Sequence, residues 1–257
     1  MAYTTVNNTA LHYENLGAGR PLVFLHGWGT SGRVWDAQAA DLMADHRVIT
    51  LDWRGCGRSE RPADGYTIRQ LTSDVLEFVD VLELDRPVLI GSSIAGAFVI
   101  EAALAAPDRF GAIIPVDAGV HHFSQHPEAV DKLLADLRAD RASTLADFVP
   151  HWYRPGVSGA MIDWTVAQLL ESTFRIDGLV VDQAGYDPRE RVAALRVPTH
   201  FLHGELDTEV PLSVPRELAA QIPGSRLTVI DGAGHMAQQD QADRFNAALR
   251  TALSGLL

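Results

Sequence analysis

Pro87-Val88-Leu89-Ile90-Gly91-Ser92-Ser93-Ile94-Ala95-Gly96-Ala97-Phe98 is the stretch on which the reading of this chain turns. Its first part, 87–91, is a short apolar run closed by glycine and reads as a buried strand. Residues 94–105 read as a helix. The chain must therefore pass from strand to helix through a tight turn with a serine at its apex. Such a turn folds the backbone back on itself and needs a small residue two positions before the apex and another two after it. Around Ser93 those positions are Gly91 and Ala95; around Ser92 they are the bulky Ile90 and Ile94. The turn centres on Ser93. It lifts the hydroxyl clear of the sheet, at a helix start whose free backbone N–H groups favour negative charge. A helix-capping serine in a small-residue turn has the same local pattern, so context must decide.

The context repeats the alternation. Residues 11–15, 21–26, 48–52 and 112–116 read as strands. Residues 34–44 have helical spacing with Val34, Trp35, Leu42 and Met43 as apolar contacts. In 68–84 Leu71, Val75, Phe78, Val79 and Leu82 share one face. The pattern resumes with strand 199–203, helix 211–221, strand 226–230 and helix 242–253. Strands alternating with helices form a mostly parallel sheet covered on both faces, an α/β fold. Ser93 then lies at the C-terminal end of a central strand, the edge where open α/β sheets place ligands. Residues 121–196 break the rhythm, with helical stretches at 128–138, 145–152 and 160–174 and no buried strand. Helices of a core layer are one reading. The skipped and resumed strand pattern favours a helical cap at 121–196 inserted into a core domain of 1–120 and 197–257.

Composition bounds the function. The chain has 257 residues, 47% hydrophobic and 21% charged, enough for one large core with a small accessory layer. A net charge of −12 repels phosphate backbones and anionic lipid heads, which disfavours nucleic-acid and membrane partners and leaves a small-molecule substrate. The lone Cys56 forms no internal disulfide, and the N-terminus lacks the pattern of a signal peptide. A cytoplasmic location is the expectation. A homo-oligomer is possible but leaves no readable signal.

A serine hydroxyl is a weak nucleophile at neutral pH. It needs a base, and the base needs an acid to orient it. Leu202-His203-Gly204-Glu205-Leu206-Asp207 leaves a strand with Asp207 beyond its end. Asp231-Gly232-Ala233-Gly234-His235-Met236 follows the last strand, with glycines that let His235 project across the sheet edge. Ser93, Asp207 and His235 all follow strands, so a parallel sheet brings them to one edge. Ten histidines are present and most must be ordinary, and an Asp after a strand is often a helix cap; the joint placement is what selects these three. Asp117, after the strand at 112–116, is a rival acid ranked behind Asp207. Leu25-His26-Gly27-Trp28-Gly29 supplies a turn whose Trp28 N–H, with that of Ile94, can hold an oxyanion. His26 reads as a structural residue holding that loop.

On these residues the chain resembles the α/β-hydrolase family over nearly its full length. The matching pieces are His26-Gly27, Asp52-Trp53-Arg54-Gly55-Cys56-Gly57-Arg58-Ser59, the Ser93 turn, Gly204 with Asp207, and Gly234-His235. The resemblance implies a mostly parallel eight-stranded sheet flanked by helices, with a helical cap. Within the family the chain is similar to the small-capped esterase, perhydrolase and non-haem haloperoxidase group, through the His-Gly-Trp start and Met161-Ile162-Asp163-Trp164. Members of that group usually carry methionine after the nucleophile and proline after the tryptophan, where this chain has Ile94 and Gly29. Both positions border the expected oxyanion hole. The departure bears on perhydrolase and haloperoxidase activity, not on plain hydrolysis.

The expectation is a serine hydrolase of carboxylic esters or related acyl bonds, using a Ser-His-Asp triad and an acyl-enzyme, without a cofactor or metal. Lactone opening, C–C bond hydrolysis, perhydrolysis and cofactor-free lyase chemistry are alternatives on the same scaffold, and a non-catalytic small-molecule receptor is a further one. Phe123, Trp152, Trp164 and Met236 are candidate pocket walls, although core packing is the commoner reason for such residues. Gly55-Cys56-Gly57 lacks the rest of a phosphate loop. His121, His122 and His126 lack a ligand set and read as a solvated hinge.

Overall fold

The computed structural model describes residues 2–256. It begins with a strand that the apolar pattern does not reveal. β1 (Ala2–Val6) pairs antiparallel with β2 (Thr9–Leu16) across Asn7 and Asn8, both at positive φ. An edge strand that is half exposed along its length has no apolar run to betray it, but the paired asparagines are a hairpin-turn signal.

β3 (Pro21–Leu25), β4 (Arg47–Leu51), β5 (Val88–Ser92), β6 (Ala112–Val116), β7 (His200–Gly204) and β8 (Arg226–Ile230) complete a sheet of order β1-β2-β4-β3-β5-β6-β7-β8. β4 through β8 run parallel in that order, and β2 is antiparallel to both its neighbours. The central strands are buried on both faces, which is why they read as unbroken apolar runs: Leu22, Val23, Phe24 and Leu25, or Val88, Leu89 and Ile90, have no exposed surface.

α1 (Asp36–Leu42), α2 (Ile68–Val81), α3 (Ala95–Ala105), α8 (Ser213–Gln221), the short α9 (Ala237–Asp240) and α10 (Ala242–Leu256) flank the sheet. The helix expected at 34–44 starts instead as a 3₁₀ turn, Gly32–Trp35. α2 is capped by Thr67, whose side chain accepts the Gln70 N–H at 3.1 Å, and it buries Leu71, Val75, Phe78 and Val79. Leu82 falls just beyond its end. α2 is tied to the core by Asp74, which accepts Nε and Nη2 of Arg54 at 2.6 and 2.7 Å. α3 follows β5 at the centre of the molecule and is buried nearly all round, as its Ala, Phe, Val and Ile composition requires.

Between β6 and β7 the chain forms α4 (Pro127–Ala139), α5 (Arg141–Phe148), α6 (Gly159–Glu171) and α7 (Asp177–Ala184). α7 was not legible in the sequence; with Leu179, Val180 and Gln183 as its buried face it has too few apolar positions to show a period. This segment packs on the chain after β8. Met236 N–H donates to the Trp152 carbonyl at 3.0 Å, Arg154 N–H to Asp240 Oδ2 at 2.9 Å, and Tyr153 Oη to Gln239 Oε1 at 2.8 Å. The histidine cluster where it leaves the sheet is only partly solvated. His126 is exposed and His122 half-buried, but His121 turns inward, with Nε2 3.2 Å from Glu217 Oε2. Among the described residues no helix is long and apolar enough to cross a membrane.

Candidate active site

Ser93 sits between β5 and α3 at φ +54°, left-handed for a residue with a side chain. Its N–H donates to the Val116 carbonyl at 2.8 Å, and its carbonyl accepts the Gly96 N–H at 2.9 Å, so the strained turn is clamped on both sides. The small-residue requirement is visible directly: a Cβ on Gly91 would stand 2.5 Å from the Ala95 carbonyl oxygen. Ser92 lies within β5 and is buried, with no partner for its hydroxyl among the described residues, while Ser93 is half-exposed.

His235 reaches this hydroxyl from the loop after β8. Its Nε2 is 3.0 Å from Ser93 Oγ and its Nδ1 2.8 Å from Asp207 Oδ2. Asp207 is fixed in turn, with Oδ1 accepting the N–H groups of Glu209 and Val210, each at 2.9 Å. The two loops meet because Gly204 has no side chain. A Cβ there would lie 2.1 Å from the Gly234 carbonyl oxygen. Burial disfavours an imidazolium at His235, but the charge and hydrogen bond of Asp207, with smaller additions from Glu209 and from Asp117 when it is ionised, outweigh it and raise the ring from 6.5 to about 9. Burial likewise opposes the charge on Asp207, and His235 more than offsets it, holding the carboxyl below its ordinary range. Proton transfer along this line needs no rearrangement of heavy atoms.

The 26–29 turn lies against Ser93, since a Cβ on Gly27 would be 3.4 Å from the Ser93 Cβ. Among the described residues the backbone N–H groups of Trp28 and Ile94 have no protein acceptor. His26 is buried and braces the turn. Its Nδ1–H donates to the Gly27 carbonyl at 2.8 Å, Nε2 accepts the Trp53 N–H at 3.4 Å, and the two rings stack at 4.8 Å. Burial lowers the ring to about 4, so it stays neutral. Asp52 holds the neighbouring loop by accepting Gly32 N–H at 2.6 Å and Arg58 N–H at 2.9 Å, with His12 Nδ1 at 3.0 Å.

Of the aromatic residues expected around the site, Trp152 stands with its ring 6.2 Å from His235 and 6.5 Å from Trp28. Met236 is buried beside His235. Phe123 is half-buried against Gly119, where the chain leaves β6. Trp164 does not join them. It stacks on Arg33, 5.4 Å from its guanidinium carbon, and lines a separate groove of about 350 Å³ with His12, Arg33 and Gln168. The inward residues of α6 are Thr165 and Leu169, and one position along a helix turns the side chain by about 100°.

Two groups near the site were given no role by the sequence. Glu209, half-buried, has its carboxyl raised by burial. His203 is wholly buried between Asp117 and Asp207. Ligand atoms of Asp117, His203 and Asp207 come within 4.8 Å of one another, as a metal site would require. Hydrogen bonds to Gly204, Val210 and His235 already engage one atom of each.

A model of the alpha/beta hydrolase family matches residues 22–248. The chain belongs to the alpha/beta hydrolase family. Among the relatives of this hydrolase, a putative non-heme chloroperoxidase of Synechocystis sp. is 30% identical, with 97% of this chain and 98% of the relative covered. An esterase from Exiguobacterium antarcticum superposes with a TM-score of 0.93 at 25% identity, covering 98% of both chains. The enol-lactonase from Burkholderia xenovorans superposes with a TM-score of 0.88 at 27% identity, covering 98% of this chain and all of its own (100%). The eight-stranded sheet with flanking helices is thus the fold that the sequence resemblance implied.

Proposed function

We propose that this hydrolase cleaves small carboxylic esters through an acyl-enzyme on Ser93. The observation that carries the reading is the hydrogen-bonded line from Ser93 Oγ through His235 to Asp207, at 3.0 and 2.8 Å. Neutral His235 takes the Ser93 proton as Oγ attacks the ester carbonyl. Asp207 keeps the remaining ring proton on Nδ1 and stabilises the imidazolium that forms. The N–H groups of Trp28 and Ile94 hold the oxyanion, each contributing a rate factor of about 10² to 10³. His235 then protonates the leaving alcohol. Water, deprotonated by the same ring, attacks the acyl-enzyme and releases the acid and free Ser93.

In this reading residues 121–196 act as the cap over a small-molecule pocket, with Trp152, Met236 and Phe123 in its wall. The enol-lactonase relative supports lactone opening as a second reading. The same steps apply there, and the alcohol simply remains tethered to the acyl group. Ser93→Ala abolishes turnover of short acyl esters and lactones, and a serine-directed phosphonate labels Ser93 and no other residue. Full activity in that variant, or labelling elsewhere, ends the reading.

A further inference from the structure

Asp117 follows β6 at φ +46°, a left-handed conformation that turns its side chain onto the end of β7. Its N–H donates to the Leu202 carbonyl at 3.0 Å, and its Oδ1 accepts the Gly204 N–H at 2.7 Å. The carboxyl is wholly buried. Beside it His203, equally buried, holds Nδ1 at 3.6 Å from Oδ1. The other ring nitrogen of His203, Nε2, is 2.9 Å from the Val210 carbonyl oxygen. A carbonyl only accepts, so Nε2 carries a hydrogen. A neutral His203 then turns a bare lone pair at Nδ1 toward a carboxylate. Among the described residues neither His203 Nδ1 nor Asp117 Oδ2 has a partner. Two acceptors facing each other away from water repel, and a proton between them removes the conflict.

The surroundings decide where that proton sits. Asp207 lies 3.6 Å from His203 Nε2 and is committed to His235. Asp240, on α9, accepts the N–H groups of Arg154 and Gly234, and its charge adds a smaller effect on Asp117. Carboxylates therefore act on Asp117 from the β7 turn and from α9, and His235 is the cation the site already provides for Asp207. Burial, and then the Asp207 charge, push the Asp117 carboxyl well above the usual carboxylate range, while burial lowers His203. Both directions favour an uncharged pair.

We propose that Asp117 is a protonated carboxyl throughout the neutral range, its hydrogen relieving the repulsion between its oxygens and the facing Nδ1 lone pair of His203. It is a positioning residue for the reaction proposed above, on which this role rests. Through the Gly204 N–H it pins the ends of β6 and β7 and so the turn that carries Asp207, without setting a second negative charge beside His235. It is accordingly not a reserve acid for the triad.

Asp117→Ala removes the bond to the Gly204 N–H and the carboxyl that faces His203, and kcat falls roughly tenfold as the Asp207 turn loosens. Asp117→Asn supplies a neutral donor and acceptor of the same shape, restores kcat, and leaves the pH limb of kcat/KM in place. Wild-type kcat in the alanine variant, or no rescue by asparagine, overturns the positioning role. A limb that drops by about one unit or more in Asp117→Asn shows that an ionised Asp117 had been raising His235, and overturns the protonation. A measurement independent of turnover is carboxyl ¹³C NMR of aspartate-labelled protein at pH 8. One protonated carboxyl is expected, lost in Asp117→Asn and kept in Asp240→Asn. Its absence from the wild type overturns the proposal even if the variants do not fold. Its presence in a protein that cleaves no ester would sink the hydrolase reading alone.

Discussion

Gly204→Ala tests how the two loops of the site are held together. The added Cβ would stand 2.1 Å from the Gly234 oxygen and 2.6 Å from the Ala233 oxygen. Carbon and oxygen in contact need about 3.3 Å, so something must move by roughly 1 Å. Neither neighbour is a flexible side chain; both are backbone leading into His235. The same two loops are stitched by Leu206 N–H to the Ala233 carbonyl at 2.8 Å and Glu205 N–H to the Ile230 carbonyl at 3.1 Å, so the loop cannot yield freely. Overpacking costs about 1–3 kcal/mol, and unyielding neighbours place this variant at the upper end. For a chain of this size, about 3 kcal/mol lowers Tm by roughly 6–12 °C. The loop that yields carries His235 away from Asp207, and a shift near 1 Å costs about 10²-fold in rate. Thermal unfolding and kcat/KM on a short acyl ester measure both effects. Gly159→Ala, at the start of α6 with nothing within 4 Å of the new Cβ, is the matched control and should change neither. Wild-type Tm and wild-type kcat/KM in Gly204→Ala would refute the reasoning.

Two further outcomes follow from the site and its support. Because the proposed base must be neutral, kcat/KM rises with pH along a limb set between 6.5 and about 9, and Asp207→Asn lowers it by removing the largest influence that opposes burial; a wild-type limb at or below 6.5 would contradict the Asp207 contribution. The same raised value makes His235 stabilise the folded chain fully below about pH 6.5, a contribution lost as pH climbs through about 9, visible in urea midpoints across that window. Asp74→Asn strands the Arg54 guanidinium, whose side chain is 4% exposed, and lowers unfolding stability by about 3–5 kcal/mol in urea titration. A loss below roughly 1 kcal/mol would show that the pair is not a structural tie.

Much of the site was legible along the chain because each part carries a local constraint. Gly91 and Ala95 admit Ser93 at the apex of a strand-to-helix turn where Ile90 and Ile94 exclude Ser92, and hydrophobic runs mark the strands that lead to Ser93, Asp207 and His235. Trp164, a candidate pocket wall in the sequence, lies instead against Arg33, because the phase of an isolated helix is ambiguous when apolar residues occur on several sides. Docking of Leu169 against Gly29 sets that phase. β1 and α7 were missed since neither buries a run or a stripe long enough to leave a period.

The sequence by itself determined the alternation of strands and helices, the family resemblance and the choice of Ser93 over Ser92. These rest on side-chain size, spacing and hydrophobic period, which are properties of neighbouring residues. Only the tertiary structure decided that Asp207 rather than Asp117 meets His235, and that Asp117 instead faces His203. Both aspartates follow parallel strands and look alike in one dimension. What separates them is burial, the direction of a left-handed turn and which charge lies across from each, and these exist only once β6, β7 and the loop after β8 are side by side.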